Sequence, residues 1–334
     1  MLDSRVERSV VFALPHERVR TAAVLSVATQ VPAGRLTNAE LAEALELSEQ
    51  WIYSRTGVRE RPRAEPDERL ADFAARAGAD ALARAEVEPG QIDLVIVATM
   101  TQDELTPNTA PLVAHALGAD RAGAVDVGAA CTAFLSGMAL AAAQIESGRA
   151  DRVLLIGADF ITRITDYADK RTAPLFGDGA GAVVLGLADG EHGSIGPIVL
   201  GADGSGACAI QASHRERKLR MDGPEVYRHA VARMTEVTYA VVERAGLTLE
   251  DIDLFVYHQA NGRITRALGE RLGVPTERVV DCIEALGNSS AATLPLGLAF
   301  AERDGRLKPG ARVALGAFGA GFTWGGGVIE WGNG

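Results

Sequence analysis

The chain has 334 residues, 47% of them hydrophobic and 23% charged, with a formal net charge of −11. That length holds about two ordinary domains or one large duplicated one, and the acidic balance argues against general affinity for nucleic acid. Three cysteines, Cys131, Cys208 and Cys282, lie far apart with no CxxC pair; they support neither a disulfide framework nor a zinc site, and point to a reducing compartment.

The start, Met1-Leu2-Asp3-Ser4-Arg5, lacks the basic residues and apolar run of a signal peptide. No window reaches the roughly 18 apolar residues that span a bilayer, so a cytoplasmic protein with no membrane partner is expected. Residues 1–20 read as a polar arm and 21–29 as a buried strand. Thr37-Asn38-Ala39-Glu40 forms a capping box that opens a helix through residue 45. Trp51-Ile52-Tyr53-Ser54-Arg55-Thr56-Gly57 follows, then arginines and prolines that read as a loop. Leu70, Phe73, Ala74 and Ala77 give helical spacing over 67–85. A buried strand over 91–99 and a helix over 109–117 come next.

Residues 124–127 read as a short buried strand, Gly128-Ala129-Ala130 as a sharp turn, and Cys131 onward as a helix through residue 145. A cysteine at a helix start meets unpaired N–H groups and the positive dipole end, which favour a thiolate. The alternative is a small buried hydrophobe. A strand is expected over 152–157, and the stretch 174–187 holds Phe176-Gly177-Asp178-Gly179-Ala180-Gly181-Ala182 with a strand after it. That strand follows where a dinucleotide fingerprint would need a helix. The pattern over 188–221 weakens into loops with one basic run, and 225–245 is a long helix.

The chain then repeats itself. Asp93 and Asp253 begin similar apolar runs 160 residues apart, as do the runs around Val153 and Val313. Between them, Leu117-Gly118 with Leu272-Gly273, and Val125-Asp126 with Val280-Asp281, are offset by 155. This predicts two copies of one strand–helix–strand unit, with continuous apolar strands covered by helices and reactive residues gathered where the copies meet. Three stretches of the second copy carry polar groups in apolar or glycine-rich surroundings. Tyr257-His258-Gln259-Ala260-Asn261 follows a strand over 254–257; His258 there is either a site residue or a core histidine satisfied by a carbonyl. Leu286-Gly287-Asn288-Ser289-Ser290-Ala291-Ala292-Thr293 is a glycine turn into a helix, in which Asn288 could be simply an N-cap. Residues 316–325, after a strand over 312–315, are rich enough in glycine for backbone to approach a ligand closely.

Together with the Cys131 elbow and the Gly177–Ala182 stretch, these motifs resemble the thiolase superfamily, and specifically the β-ketoacyl-acyl carrier protein synthase III family, over residues 21–333. The resemblance implies an α/β, thiolase-like fold: duplicated βαβ-type halves, 21–188 carrying the nucleophile and 189–334 carrying His and Asn, with covered mixed sheets in an α-β-α-β-α layering. It implies a catalytic set of Cys131, His258 and Asn288, with an oxyanion hole from the backbone N–H groups of Cys131 and Ala320. Cys131 would take an acyl group from acyl-CoA, malonyl-acyl carrier protein would lose carbon dioxide, and the enolate would attack the acyl group. His258 and Asn288 would stabilise that enolate as neutral donors. By the same resemblance Trp51 stacks on adenine, Arg55, Arg163 and Arg263 line the coenzyme A path, Tyr227 stands beside the tunnel and Asn261 orients the site. No cofactor is implied beyond the thioester substrate, and a homodimer is usual in the family.

An acidic carrier protein requires a local basic surface on this acidic chain, for which Arg215, Arg217, Lys218, Arg220, Arg228, Arg233 and Arg263 are candidates. The chain departs from the family pattern at Ala320, where glycine is usual, at Pro224, which removes a donor that could face pantetheine, at Leu286, where an aromatic or histidine is common, and in its longer arm. These leave other readings open: a priming synthase of specialised metabolism, an acyltransferase acting on an alcohol or amine without decarboxylation, or a silent dimer partner.

Overall fold

Two sheets and the helices around them account for most of the described residues, which are 20–190 and 193–332 of the computed structural model. The expected arm lies outside them apart from Arg20. In chain order the first part comprises β1 (Ala22–Gln30), β2 (Arg35–Thr37), α1 (Asn38–Leu45), α2 (Glu49–Thr56), β3 (Glu60–Pro62), α3 (Leu70–Arg84), β4 (Leu94–Ala98), α4 (Thr109–Leu117), β5 (Gly123–Val127), α5 (Ala133–Glu146), β6 (Val153–Phe160) and β7 (Asp178–Leu187). The second comprises β8 (Ser194–Ala202), β9 (Ile210–Ala212), β10 (Leu219–Met221), α6 (Gly223–Arg244), β11 (Leu254–Tyr257), α7 (Gly262–Leu272), α8 (Ile283–Leu286), α9 (Thr293–Arg303), β12 (Arg312–Gly319) and β13 (Thr323–Glu330).

One sheet runs β1-β7-β6-β4-β5 and the other β11-β12-β13-β8. In the first, β4 is parallel to β6 with Leu94 opposite Val153; in the second, β11 is parallel to β12 with Leu254 opposite Val313. The following strand is antiparallel in each case. Asp93 and Asp253 do the same work ahead of these strands: each carboxylate accepts an N–H at the start of the partner strand, that of Arg152 just before β6 at 3.0 Å and that of Arg312 at the head of β12 at 2.8 Å. The bridge between Phe255 and Val279 stands where Val95 pairs with Ala124. The 160- and 155-residue offsets are therefore also offsets in register.

Burial explains the layering. Phe134, Leu135, Met138 and Ile145 of α5 and Leu294 and Leu298 of α9 share one core with Leu155 of β6 and Val313 and Leu315 of β12, so these two helices fill the space between the sheets. α3 and α4 cover the outer face of the first sheet through Leu154 and Ile156, and α6 and α7 that of the second through Phe255 and Tyr257. Both central helices come close enough to exclude a side chain at one point. A Cβ on Gly137 would meet Leu155 Cδ1 at 2.5 Å, and one on Gly297, 160 residues on, would meet Val256 Cγ1 at 2.9 Å. This is the α-β-α-β-α thiolase fold.

Several expectations change. β5 is an edge strand rather than a buried one, with Val125 44% exposed. The Gly177–Ala182 stretch is not a loop before a strand: β7 begins at Asp178 and includes most of it. Within 188–221 the weak pattern conceals β8, an edge strand that tolerates Gly196, Pro197 and Gly201. β12 runs through Gly319, so the glycine-rich stretch after 315 is half strand. Pro224 sits in the first turn of α6, where its missing N–H has no intrahelical partner to lose.

Candidate active site

The chain leaves β5 at Val127, turns through Ala130 at a φ of 47°, and forms a short 3-10 turn, Ala130–Thr132, before α5. Cys131 is the middle residue of that turn. The elbow is pinned by Thr132, whose hydroxyl bonds Ala129 O at 2.8 Å and Thr323 Oγ1 at 2.9 Å; Thr323 Oγ1 in turn donates to Ala320 O at 3.1 Å. Thus the Cys131 elbow is tied to the β12–β13 turn that carries Ala320. Gly319 lies against it so closely that a Cβ there would stand 2.9 Å from Cys131 N.

The residue keeps partial solvent access, yet the packing around its sulfur desolvates it and pushes the thiol up to about 12. The Ser290 hydroxyl opposes that shift and the Asp159 carboxyl adds to it. Desolvation of the sulfur therefore opposes the thiolate that the helix-start position favours.

Asn288 belongs to a second elbow. Its N–H donates to Leu175 O at 2.8 Å and its carbonyl accepts from Gly177 N at 3.1 Å, stitching it beside Phe176. Its Oδ1 accepts from Ser290 N at 3.0 Å, a local turn bond; the N-cap of the 3-10 turn Ser290–Ala292 is Ser289 and that of α9 is Ala292, so Asn288 is the N-cap of neither. With the oxygen used locally, the amide N–H group is the part that could face a substrate. Two residues on, Ser290 Oγ is 3.5 Å from Cys131 Sγ, which joins the two elbows directly.

His258 follows β11, and its N–H donates to Gly316 O of β12 at 2.8 Å. Its side chain is buried, Nδ1 has no hydrogen-bond partner among the described residues, and desolvation lowers the imidazole to about 3. A core histidine satisfied by a carbonyl does not fit that orphaned nitrogen. Gln259 locks the turn, donating to Tyr257 O at 2.9 Å and Val280 O at 3.1 Å and accepting from Cys282 N at 3.2 Å.

Asn261 caps α7 and bonds Arg55 O at 3.0 Å, tying α2 to α7. The Arg55 guanidinium carbon is 5.3 Å from the Trp51 ring and that of Arg263 is 5.6 Å from the Tyr227 ring. Arg163 is already engaged, with Asp103 Oδ1 and Glu68 O both at 2.7 Å. Part of the basic surface is already paired. Lys218 and Arg220 grip Asp166 at 2.8 and 2.5 Å and hold its carboxyl at about 2, Arg228 pairs with Glu225, and Arg233 pairs with Glu236 at 2.9 Å. Arg215 and Arg217 are exposed.

Sequence reasoning missed Asp159, although a lone carboxylate in the apolar run 153–160 was a signal. It is fully buried, and its carboxylate accepts from Met100 N at 2.9 Å and Ala291 N at 3.1 Å, stapling the end of β4 to the second elbow. Also missed was Arg61, buried behind that elbow with its guanidinium on Leu36 O, Asn38 Oδ1 and Pro174 O.

Residues 125–204 match the family profile described as 3-oxoacyl-acyl-carrier-protein synthase III, and residues 242–331 match the profile of its C-terminal part. The β-ketoacyl-acyl-carrier-protein synthase III of Listeria welshimeri is 42% identical over 312 residues, spanning 93% of this chain and 99% of that protein. Synthase III 3 of Streptomyces coelicolor is also 42% identical, over 93% and 98% of the two chains. Among solved structures, the 3-oxoacyl-acyl-carrier-protein synthase III of Aquifex aeolicus superposes with a TM-score of 0.90 at 37% identity, covering 93% of this chain and all of that one. A priming β-ketosynthase of a polyketide biosynthetic pathway superposes equally, with a TM-score of 0.90 at 39% identity over 96% of this chain and 99% of its own.

Proposed function

The chain belongs to the β-ketoacyl-acyl carrier protein synthase III family of condensing acyltransferases, and from that premise we propose that Cys131, His258 and Asn288 carry out its decarboxylative Claisen condensation. The observation that carries the reading is the meeting of elbows from distant parts of the chain: Cys131 lies 3.5 Å from the loop of Asn288 and against Gly319 of the strand bonded to His258.

Acyl-CoA enters past Trp51, Arg55, Arg263 and Tyr227, where stacking suits a purine and guanidinium suits phosphate. The Cys131 sulfur attacks the thioester carbonyl as its proton passes to the departing CoA sulfur, while the N–H groups of Cys131 and Ala320 hold the oxyanion, each donor being worth roughly 3–4 kcal/mol in comparable sites. CoA leaves as its thiol. Malonyl-acyl carrier protein then loses carbon dioxide, and negative charge moves onto its thioester oxygen. A neutral imidazole at His258 and the Asn288 amide can each donate to that oxygen without losing a proton. The low value of His258 supports this role. The enolate carbon attacks the acyl-cysteine carbonyl, the sulfur departs as a thiolate that regains a proton from solvent, and a β-ketoacyl-acyl carrier protein is released. No group beyond the two thioesters is needed.

The exposed edge of β5 supports a homodimer joined along that strand. Among the described residues no helix is long and apolar enough to cross a membrane. Likeness to the polyketide priming enzyme favours a second reading, the same condensation on a primer of specialised metabolism. A panel of acyl-CoAs with malonyl-acyl carrier protein tests both: condensation with release of carbon dioxide is expected, and acyl transfer without it would overturn the assignment. Preference for acetyl-CoA favours the housekeeping role, and preference for another primer the specialised one.

A further inference from the structure

Beyond the three residues assigned above, one side chain faces the reactive sulfur. The Ser290 hydroxyl lies 3.5 Å from Cys131 Sγ, and Ser290 is almost fully buried. Its position is determined three ways: its N–H donates to Asn288 Oδ1 at 3.0 Å, its φ is 51°, and the N–H that follows, of Ala291, donates to Asp159 Oδ2 at 3.1 Å. Asp159 cannot drift, because its other oxygen accepts from Thr99 Oγ1 at 3.1 Å, Met100 N at 2.9 Å and Thr101 Oγ1 at 2.8 Å.

The duplication separates what the turn needs from what the chemistry needs. The equivalent position in the first half, 160 residues earlier, is Ala130, which makes the same left-handed turn at a φ of 47°. Alanine therefore suffices for the elbow, and the hydroxyl at 290 is not there to shape the backbone.

We propose that Ser290 is a further catalytic residue, whose hydroxyl donates a hydrogen bond to the Cys131 sulfur and stabilises the thiolate that attacks the thioester. The inference rests on the assignment of Cys131 as nucleophile. A hydrogen bond to an ionised acceptor is roughly twice as strong as one between neutral groups, so the donor favours thiolate over thiol. It works against burial of the sulfur and against the Asp159 carboxyl at the end of β6, which is a second acceptor for the same hydroxyl proton, so the bond to sulfur strengthens as charge develops there. His258, beyond β11, is neutral and offers no cation.

The test is alkylation of Cys131 by iodoacetamide between pH 6.5 and 10, read by mass spectrometry of the Cys131 peptide, in the parent, Ser290→Ala and Ser290→Gly. Both variants tolerate the left-handed turn and both lack the hydroxyl. At pH 8 the Cys131 peptide is expected to be modified about tenfold more slowly in each, with the rise in rate displaced to higher pH, as befits loss of one bond to a charged group. Exposed Cys208 serves as internal reference and is expected to react unchanged. A parent-like profile at Cys131 in either variant overturns the proposal. Iodoacetamide needs no acyl-CoA, so a parent protein that alkylates normally but is never acylated would refute the assigned function through a separate observation.

Discussion

Replacing Gly319 by alanine isolates the geometry on which the acylation step depends. The new Cβ would stand 2.9 Å from Cys131 N and 3.1 Å from Cys131 Cβ, about half an ångström inside an ordinary contact. Neither side yields freely. The elbow is pinned by Thr132 and Thr323, and Gly319 is held in register opposite Thr323 between β12 and β13. The sulfur and the N–H group of Cys131 must therefore shift relative to Ala320. A displacement of about 1 Å costs on the order of a hundredfold in rate, and loss of one oxyanion donor about a hundred- to a thousandfold. Half that displacement gives an expected fall in acylation of about 10- to 100-fold, with overpacking destabilising the fold by about 1–3 kcal/mol. The assay is transfer of radiolabel from acyl-CoA to protein, with thermal melting alongside. Gly128→Ala is the control: it alters the same elbow, but nothing lies within 4 Å of the added carbon. Near-parent acylation by Gly319→Ala, or an equal loss in Gly128→Ala, would refute the reasoning.

Other expectations follow from the assigned roles. His258→Ala and Asn288→Ala should suppress release of carbon dioxide more than acylation of Cys131; equal loss of both activities would contradict the division. Burial holds His258 neutral down to about 3, whereas the unfolded chain binds a proton near 6.5, so protonation favours unfolding and stability is lost as pH falls from 6.5 toward 3. Between pH 7 and 5 that loss is about 2 kcal/mol, and urea melts of His258→Ala should show a correspondingly shallower decline. Asp178, raised by burial to about 6, has the opposite sign, gaining stability as pH falls through 6, but it is common to both proteins and cancels. An identical pH slope would count against the buried neutral imidazole. Arg263→Glu should raise the KM for malonyl-acyl carrier protein far more than Arg228→Glu, because Arg228 is already paired with Glu225. Equal effects would mean that the paired arginines dock the carrier.

Features set by neighbouring residues were legible in the sequence. The Thr37 capping box, α4 over 109–117 and β11 over 254–257 occur where caps and apolar period place them. The duplication was legible as well, because each copy needs the same carboxylate ahead of its central strand. What could not be read depends on contacts between distant residues. β8 is broken by Gly196, Pro197 and Gly201, and only its edge position explains how it can still pair. β7 is rich in glycine because α9 presses on it: a Cβ on Gly181 would meet Pro295 at 2.7 Å. Ser290 reaches Cys131 across 159 residues, and Asp159 reaches Ala291 across 132. The position of Cys131 at a helix start could be read, but its depth could not, and depth opposes its ionisation.

The central claim is that one sulfur carries the acyl group between two thioesters. Incubation with acyl-CoA, digestion and mass spectrometry test it directly: the peptide containing Cys131 should gain the acyl mass and lose it again when malonyl-acyl carrier protein is added, with one carbon dioxide released per acyl group discharged. An acyl group found on Cys208 instead, or an adduct that malonyl-acyl carrier protein does not discharge, would contradict the account.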